Sequence, residues 1–421
     1  MVIALAAQSL WPIFQMDVKS AFLHETLEEQ VYVTQPPGYI KTGNENQVYK
    51  LKKGSLRFKT SPAGMVQPYR ELFLKEGFHK CPYEHTLFVK IRDEGRILIV
   101  CLYVDDLIFT GNDPAMFEKF KKSMMTEFEM SDLGLMHYFL GIEIVQSADG
   151  IFVCQKKYVR EILDRFQMQD CNPASTLAEF NLKINKDHEG KKVENTLFKQ
   201  IVRSLMYLTA TRPEIMHSVS QISRYMESPT KMHLAAAKRI LRYLQGTRDF
   251  GLFFKKGIKS DLVGYTDSDY AGDVDDRKST YGCIFMMGSA AVSWSSKKQP
   301  IVTLSMTETE LIAATSCACQ ALWLKKILEE LQFNQEGAVV IYCDNNSTIK
   351  LSKNPVLHGR SKHIDVKYHY LRDLDKDGKI DLKYCRSEEQ LTDIFTKALK
   401  VFPFQDLRKI IGVCTLKRFV N

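Results

Sequence analysis

Acidic side chains at the ends of apolar segments are the chemically suggestive feature of this 421-residue sequence. The run 97–104 (Ile-Leu-Ile-Val-Cys-Leu-Tyr-Val) climbs to Asp105-Asp106, and a second apolar run, 107–109, leads away. Both runs predict core strands, joined as a buried β-hairpin with the two carboxylates at its tip. Adjacent carboxylates between core strands gain nothing from burial unless a cation neutralises them. A divalent metal ion is the economical partner, and an acidic turn is the plain alternative. Upstream, residues 12–18 read as another apolar strand carrying Asp17. Further along, Asp267 ends the stretch 262–266, Glu310 lies in the opening turns of a helix, Asp344 ends the apolar stretch 339–343, and Asp393 begins a last helix. Taken singly, Glu310 and Asp393 are first-turn acids that suit the helix dipole, and Asp267 is a turn cap. Their joint order is the specific signal.

The elements that must position these acids can be read from periodicity. Residues 2–10 read as the end of a helix. The alternating stretch 30–35 is a strand stopped by Pro36-Pro37-Gly38. Helical spacing of Met116, Phe117, Phe120, Met124, Met125 and Phe128 predicts a helix over 113–130 with Asp113 as N-cap. Its Met and Phe stripe is core. Residues 133–145 read as a turn and strand, 155–167 as a helix, 168–195 as a polar loop or linker, and 197–248 as helical. The last part carries Lys231, Lys238, Arg239, Arg242 and Arg248 on an amphipathic helix, either a solvated face or one that lies along phosphates. From 262 onward the order is three strands, a helix to about 331, an apolar strand, more helix, a short strand and a final helix. Asp373-x-Asp375-x-Asp377 imitates a calcium loop, but Tyr384 replaces the closing acid, and 376–379 read as a hairpin-type turn.

Composition bounds the class. The chain is 45% hydrophobic and 26% charged with a net charge of +8, which permits a polyanionic partner without demanding one. Its length predicts two or three domains. Ten scattered cysteines include no CxxC pair, so neither a zinc knuckle nor a disulfide framework is expected, and a reducing intracellular setting fits. No apolar run reads as long enough to span a membrane.

One strand acid followed well downstream by an acid pair on a hairpin resembles the palm of a reverse transcriptase. It resembles more closely the polymerase of copia-type LTR retrotransposons, and the likeness runs over roughly residues 3–400, including the phrases at 30–39, 48–53, 73–78 and 84–90. The resemblance implies an α+β palm-type reverse transcriptase subdomain at 1–167, a mostly helical thumb or connection at 168–260, an α/β RNase H-like domain at 261–400 and a C-terminal tail at 401–421. It implies that Asp17, Asp105 and Asp106 are catalytic metal ligands for nucleotidyl transfer, with Phe22 as steric gate against a 2′-hydroxyl and Tyr103 and Lys59 binding substrate. Asp267, Glu310, Asp344 and Asp393 are implied as the metal ligands that hydrolyse the RNA strand of an RNA–DNA hybrid, with Asp269 as an outer member. The implied cofactor is Mg²⁺, with Mn²⁺ an alternative, in two-metal sites. The implied partners are an RNA template, a DNA primer, the hybrid, dNTPs and other parts of a Pol polyprotein, with no membrane. The implied place is cytoplasmic, in a virus-like particle, or nuclear, within a DNA integration pathway. In that family a basic fingers subdomain comes first, so the chain reads as N-terminally truncated.

Residues 54–66 depart from the family pattern. Arg57 stands where a glycine lets backbone approach the incoming nucleotide, and only Lys59 and Pro62 survive. A side chain there obstructs the close contact. The alternative reading is therefore a polymerase-dead remnant that keeps RNase H activity or only nucleic-acid binding. A more distant one is a scaffold whose acids merely cap strands.

Overall fold

The computed structural model describes residues 1–18, 30–44, 46–50, 62–104, 106–180, 182–353 and 365–416. Phe22, Lys59, Asp105 and Arg57 lie outside the described residues, as does 354–364. The chain forms two compact units. One is Trp11–Met136, and the other is Met1–Leu10 with His137–Asn421.

The chain opens with α1 (Val2–Gln8), which belongs to the larger unit. The smaller unit contains β1 (Ile13–Val18), β2 (Tyr32–Thr34), β3 (Val48–Lys50), α2 (Pro62–Lys75), β4 (His79–Lys80), β5 (Leu87–Arg92), β6 (Arg96–Tyr103), β7 (Asp106–Gly111), α3 (Pro114–Glu127) and β8 (Met130–Leu135). Six of these strands make an antiparallel sheet in the order β4-β5-β6-β7-β1-β8. The two-residue period of β1 and β7 sorts their side chains. Met16, Leu107 and Phe109 enter one cluster with Phe73, Phe78, Phe88 and Phe120 from the surrounding elements, with Phe14 packed against it. Phe14 stacks on Phe109 at 5.3 Å, and Phe109 meets Phe120 edge-on at the same distance. Burying each such ring stabilises by about 2–3 kcal/mol. The intervening residues Gln15, Asp17 and Asp106 therefore share the opposite face. Asp113 caps α3 as expected, its Oδ1 accepting from Ala115 N–H at 2.8 Å.

The larger unit continues with β9 (Tyr138–Phe139), β10 (Ile142–Gln146), β11 (Gly150–Cys154), α4 (Lys156–Arg165), α5 (Asn195–Leu208), α6 (Met216–Ser223), α7 (Lys231–Gly246) and β12 (Phe250–Lys255). Then come β13 (Val263–Ser268), β14 (Thr280–Met287), β15 (Ala290–Lys298), α8 (Met306–Glu330), β16 (Val339–Cys343), α9 (Asn346–Lys353), α10 (Asp365–Lys376), β17 (Ile380–Tyr384), α11 (Asp393–Thr396), α12 (Val401–Ile410) and β18 (Val413–Thr415). One sheet runs β18-β12-β11-β10-β9, and the other runs β15-β14-β13-β16-β17. In the second, β13 to β15 form an antiparallel meander, while β16 joins β13 and β17 joins β16 in parallel. With α8 packed on β13, β14 and β16, this is an RNase H-like α/β layer.

Several details differ from the sequence expectation. The boundary at 167 is crossed by the β11–β12 ladder, and 401–416 is folded rather than a tail, because β18 pairs with β12. Arg408 of α12 is buried and donates to the Tyr243 hydroxyl at 3.0 Å. The helical stretch 197–248 is three helices: α5 ends at Leu208 and α6 at Ser223, with Pro213 opening a short 3₁₀ turn before α6 and Pro229 standing two residues before α7. Residues 376–379 join a helix to a strand, with Gly378 at φ +63° and Lys379 N–H returning to Leu374 O at 2.9 Å, a helix C-cap rather than a hairpin turn. Contrary to the membrane expectation, α8 is by length and composition long and apolar enough to span one. Here 56% of its most apolar window is buried within the fold, so packing on the sheet accounts for its apolar surface.

Gly282 on β14 pairs with Asp267, and a Cβ there would lie 2.7 Å from Phe395 Cβ and 3.1 Å from Thr396 Cγ2. The missing side chain lets α11 approach the sheet. Gly282→Ala is expected to lower unfolding stability by about 1–3 kcal/mol through overpacking. Urea denaturation of the two proteins measures it, and unchanged stability would mean that α11 yields freely.

Candidate metal centres

In the smaller unit, strand register does the positioning. Asp17 is paired directly with Asp106 across β1 and β7, and Tyr103 is paired with Asp106 across β6 and β7. Directly paired residues project to the same face, so Asp17, Asp106 and Tyr103 form a row across three adjacent strands. Tyr103 is exposed. The tight connection places Val104 at φ +54°, a region β-branched residues avoid and two-residue hairpin turns demand. Gln15, two residues before Asp17, donates from Nε2 to Asp106 Oδ1 at 3.3 Å. Burial pushes the Asp106 carboxyl up and the Asp17 charge adds to this, while the Gln15 hydrogen bond opposes both. Gln15 escaped the sequence reading because an amide inside an apolar strand carries no signature of its own.

In the larger unit, Asp267 on β13, Glu310 on α8, Asp344 just beyond β16 and Asp393 at the start of α11 interact electrostatically. Each is held by a local donor. Ser268 N–H reaches Glu310 Oε1 at 3.3 Å, Ser387 Oγ donates to Asp344 Oδ2 at 3.3 Å, and Thr396 Oγ1 donates to Asp267 Oδ2. Lys397 Nζ stands 2.8 Å from Asp393 Oδ1. Ser305 caps α8 by accepting from Glu308 N–H at 3.1 Å, which starts that helix so that Glu310 falls in its second turn.

The single turn of α11 is too short to stand alone, and two neighbours fix it. The Phe395 carbonyl accepts from Ser296 Oγ at 2.6 Å and lies 3.0 Å from His217 Nδ1 on α6. Burial, with Arg224 adding to it, pushes the His217 imidazole down to about 4, so it stays neutral with its proton on Nδ1.

The charges are costly as they stand. Burial first, then Asp267 and Asp344, raise Glu310 well above the ordinary carboxylate range. Burial also raises Asp267, and burial followed by Asp267 pushes Asp393 up to about 6. Lys397 opposes the rise at all three. The donor set suits a hard divalent cation. Oxygens of Glu310 and Asp344 and the buried Cys343 sulfur lie within 4.8 Å of one another, with Cys343 Sγ 4.0 Å from Glu310 Oε2. Asp269 is engaged elsewhere, accepting from Thr280 N–H at 2.6 Å. Asp273, in the connection between β13 and β14, is buried between Arg224 at 3.2 Å and Lys298 at 2.6 Å. Thr396, Lys397, Ser387 and Cys343 were not read from the sequence. The spacing of Asp393 and Lys397, one helical turn apart, was the available signal.

The basic helix is partly occupied. Arg239 pairs with Glu179 at 3.1 Å, Arg242 donates to Asn172 O at 2.7 Å, and Arg248 donates to Gln169 O at 2.8 Å. Those side chains bind the 168–184 segment to α7, while Lys231 and Lys238 remain exposed. A cavity of about 860 Å³ opens between this segment, α6, α7 and residues 396–398, with Lys183, Lys238 and Arg239 on its walls.

The family described as reverse transcriptase (RNA-dependent DNA polymerase) matches residues 1–179. The retrovirus-related Pol polyprotein from transposon RE1 of Arabidopsis thaliana is 38% identical over 412 residues, covering 98% of this chain and 28% of that polyprotein. The one from transposon TNT 1-94 of Nicotiana tabacum is 37% identical, covering 98% and 32%. The chain thus spans under a third of the length of these relatives. A transposon Ty5-1 protein of Saccharomyces cerevisiae is 31% identical over 303 residues, which are 71% of this chain and 98% of that protein. A foamy viral protease-reverse transcriptase, solved with double-stranded DNA, shares the fold at a TM-score of 0.50 and 13% identity, covering 89% of this chain and 57% of its own.

The raised Asp393 carboxyl carries a linkage consequence. Its folded value near 6 exceeds the unfolded value of 3.8, so its contribution to stability is present below pH 4 and is lost as pH rises through 6. With metal chelated, Asp393→Asn is expected to be more stable than the parent at pH 7 by up to about 3 kcal/mol. The difference should shrink toward zero at pH 4. Denaturant titrations at both pH values measure it; a constant difference would remove Asp393 from the repelling cluster. The opposite titration of His217 is common to both proteins and cancels.

Proposed function

The chain belongs to the reverse transcriptase family of retrotransposon Pol polyproteins, and from that premise we propose that it carries an RNA-directed DNA polymerase centre and a ribonuclease H centre. The observation that carries the reading is that Asp267 and Asp344 each act on both Glu310 and Asp393, so that acids from four separate elements fall within electrostatic reach of this pair. In this reading residues 11–136 hold the palm and residues 261–400 the hydrolytic domain, with the helices between them as thumb or connection. Mg²⁺ is the proposed ion at both centres.

When bound, paired divalent ions supply an activated oxygen nucleophile and stabilise the leaving oxygen. The chain's own residues do the positioning. Thr396 fixes one oxygen of Asp267. Ser268 and Ser387 likewise orient Glu310 and Asp344. His217 and Ser296 hold α11, and with it Asp393, at the correct depth. The cavity walled by Lys183, Lys238, Arg239 and Lys397 offers positive charge, where a hybrid's phosphates would be held by charge and shape rather than sequence. At the polymerase centre, Asp17 and Asp106 are held in register by the ladder, and Gln15 orients Asp106. Asp105, Phe22 and Lys59 belong to this centre by resemblance, as metal ligand, sugar gate and substrate contact. The partners are then an RNA template, a DNA primer and dNTPs.

A second reading, in which hydrolysis survives and polymerisation does not, is favoured by Arg57 and the rewritten stretch 54–66. Two assays separate them. Cleavage of a labelled RNA–DNA hybrid should fall by about 10²–10³-fold in Glu310→Gln, the loss of several kcal/mol of charge stabilisation. Equal cleavage by parent and variant would end the hydrolytic assignment. Primer extension above an Asp106→Asn control supports the polymerase, whereas extension no higher than that control leaves the second reading.

A further inference from the structure

We propose that Lys397 is the resident counter-cation of the Asp267–Glu310–Asp344–Asp393 cluster, and that a divalent ion binds by taking over the charge its ammonium group supplies. This rests on the reading of those four acids as a metal centre, and goes beyond it by naming the side chain with which an ion must compete.

Three observations support it. The ammonium stands 2.8 Å from Asp393 Oδ1, and its field also reaches Asp267, Glu310 and Asp344. It therefore serves the group rather than one partner. Its backbone is fixed by the two residues immediately before it. The Phe395 carbonyl is held by Ser296 and His217, and Thr396 is tied to Asp267. The side chain itself is not trapped, being 47% exposed, and a lysine stem of four methylenes can carry its charge out to water without disturbing the turn that bears it. The ammonium can thus lie over the carboxylates when they lack a metal ion and leave when one arrives. A strongly hydrated point charge is suited to this exchange, because water compensates it when it withdraws.

The consequence is a pair of opposite effects from one residue. Lys397 stabilises the metal-free fold and weakens the metal complex, because binding must displace it. A residue that merely supports the ligands would strengthen both. The test uses the full chain, with Mn²⁺ and Mg²⁺ as probes, reading thermal unfolding in chelator and in metal, and Mn²⁺ affinity by calorimetry. Lys397→Gln is expected to unfold at lower temperature than the parent in chelator, to show a larger metal-induced rise, and to bind Mn²⁺ about two- to tenfold more tightly. Lys397→Arg, which keeps the charge, should stay near the parent. If Lys397→Gln fails to fold in chelator and is rescued by Mn²⁺, the proposal stands; if it is not rescued, Lys397→Met, which keeps the stem and removes the charge, decides by the same measures. Weaker or unchanged Mn²⁺ binding in the charge-removing variant overturns the role of Lys397 while leaving the metal centre intact. Absence of any metal-induced rise in parent and variant alike overturns the metal centre, and this inference with it.

Discussion

Carboxylates packed close together out of water repel one another, and the fold from β13 to α11 is arranged around that repulsion. Glu310 and Asp267 are almost fully buried, and no rearrangement of their own elements would separate them, since β13 and α8 are packed against each other. Three hydrogen bonds and one ammonium group are the protein's answer. They orient the acids but leave Glu310 and Asp393 well above ordinary carboxylate values. Such residual tension leaves the group able to gain from a cation, whereas a group fully satisfied by protein would not.

The pair in the smaller unit solves a related problem differently. Asp17 and Asp106 are brought together by strand register, on the face opposite the aromatic cluster. A shift of one residue in either strand would turn its acid toward Phe73 and Phe120 and bring a core residue out in exchange. The apolar packing that stabilises the sheet therefore also sets the positions of the charges. The left-handed backbone at Val104 fits the same logic, since a tight connection keeps Asp106 at the first position of its strand.

The basic helix shows how composition can mislead when geometry is missing. Arg239, Arg242 and Arg248 look free in a helical projection. In the fold they fasten the 168–184 segment, whose carbonyls and Glu179 would otherwise lack these partners. Positive charge that faces the cavity comes instead from a mixture of this helix and that segment, Lys183 among them. The same pattern appears at the C-terminus, where Arg408 reads as a tail residue and is buried against Tyr243 and Phe250.

Much was written in the linear sequence. Short apolar runs marked β1, β6, β7, β13 and β16, and the Asp113–Pro114 start marked α3, because local composition and capping are set by residues a few positions apart. The order of Asp267, Glu310, Asp344 and Asp393 along alternating strands and helices was also legible, since it needs element types alone. What the tertiary structure decided is everything that depends on partners distant in sequence. The ladder between β11 and β12 joins residues 150–154 to 251–255. Gln15, Thr396, Ser387 and Lys397 act through acids that only folding brings near, and Gly282 matters because α11 passes over it. Sequence determined which acids stand at the ends of which elements; the fold decided how closely they meet and which cation answers them, because electrostatic energy depends on distance and burial, and neither is a property of the chain before it folds.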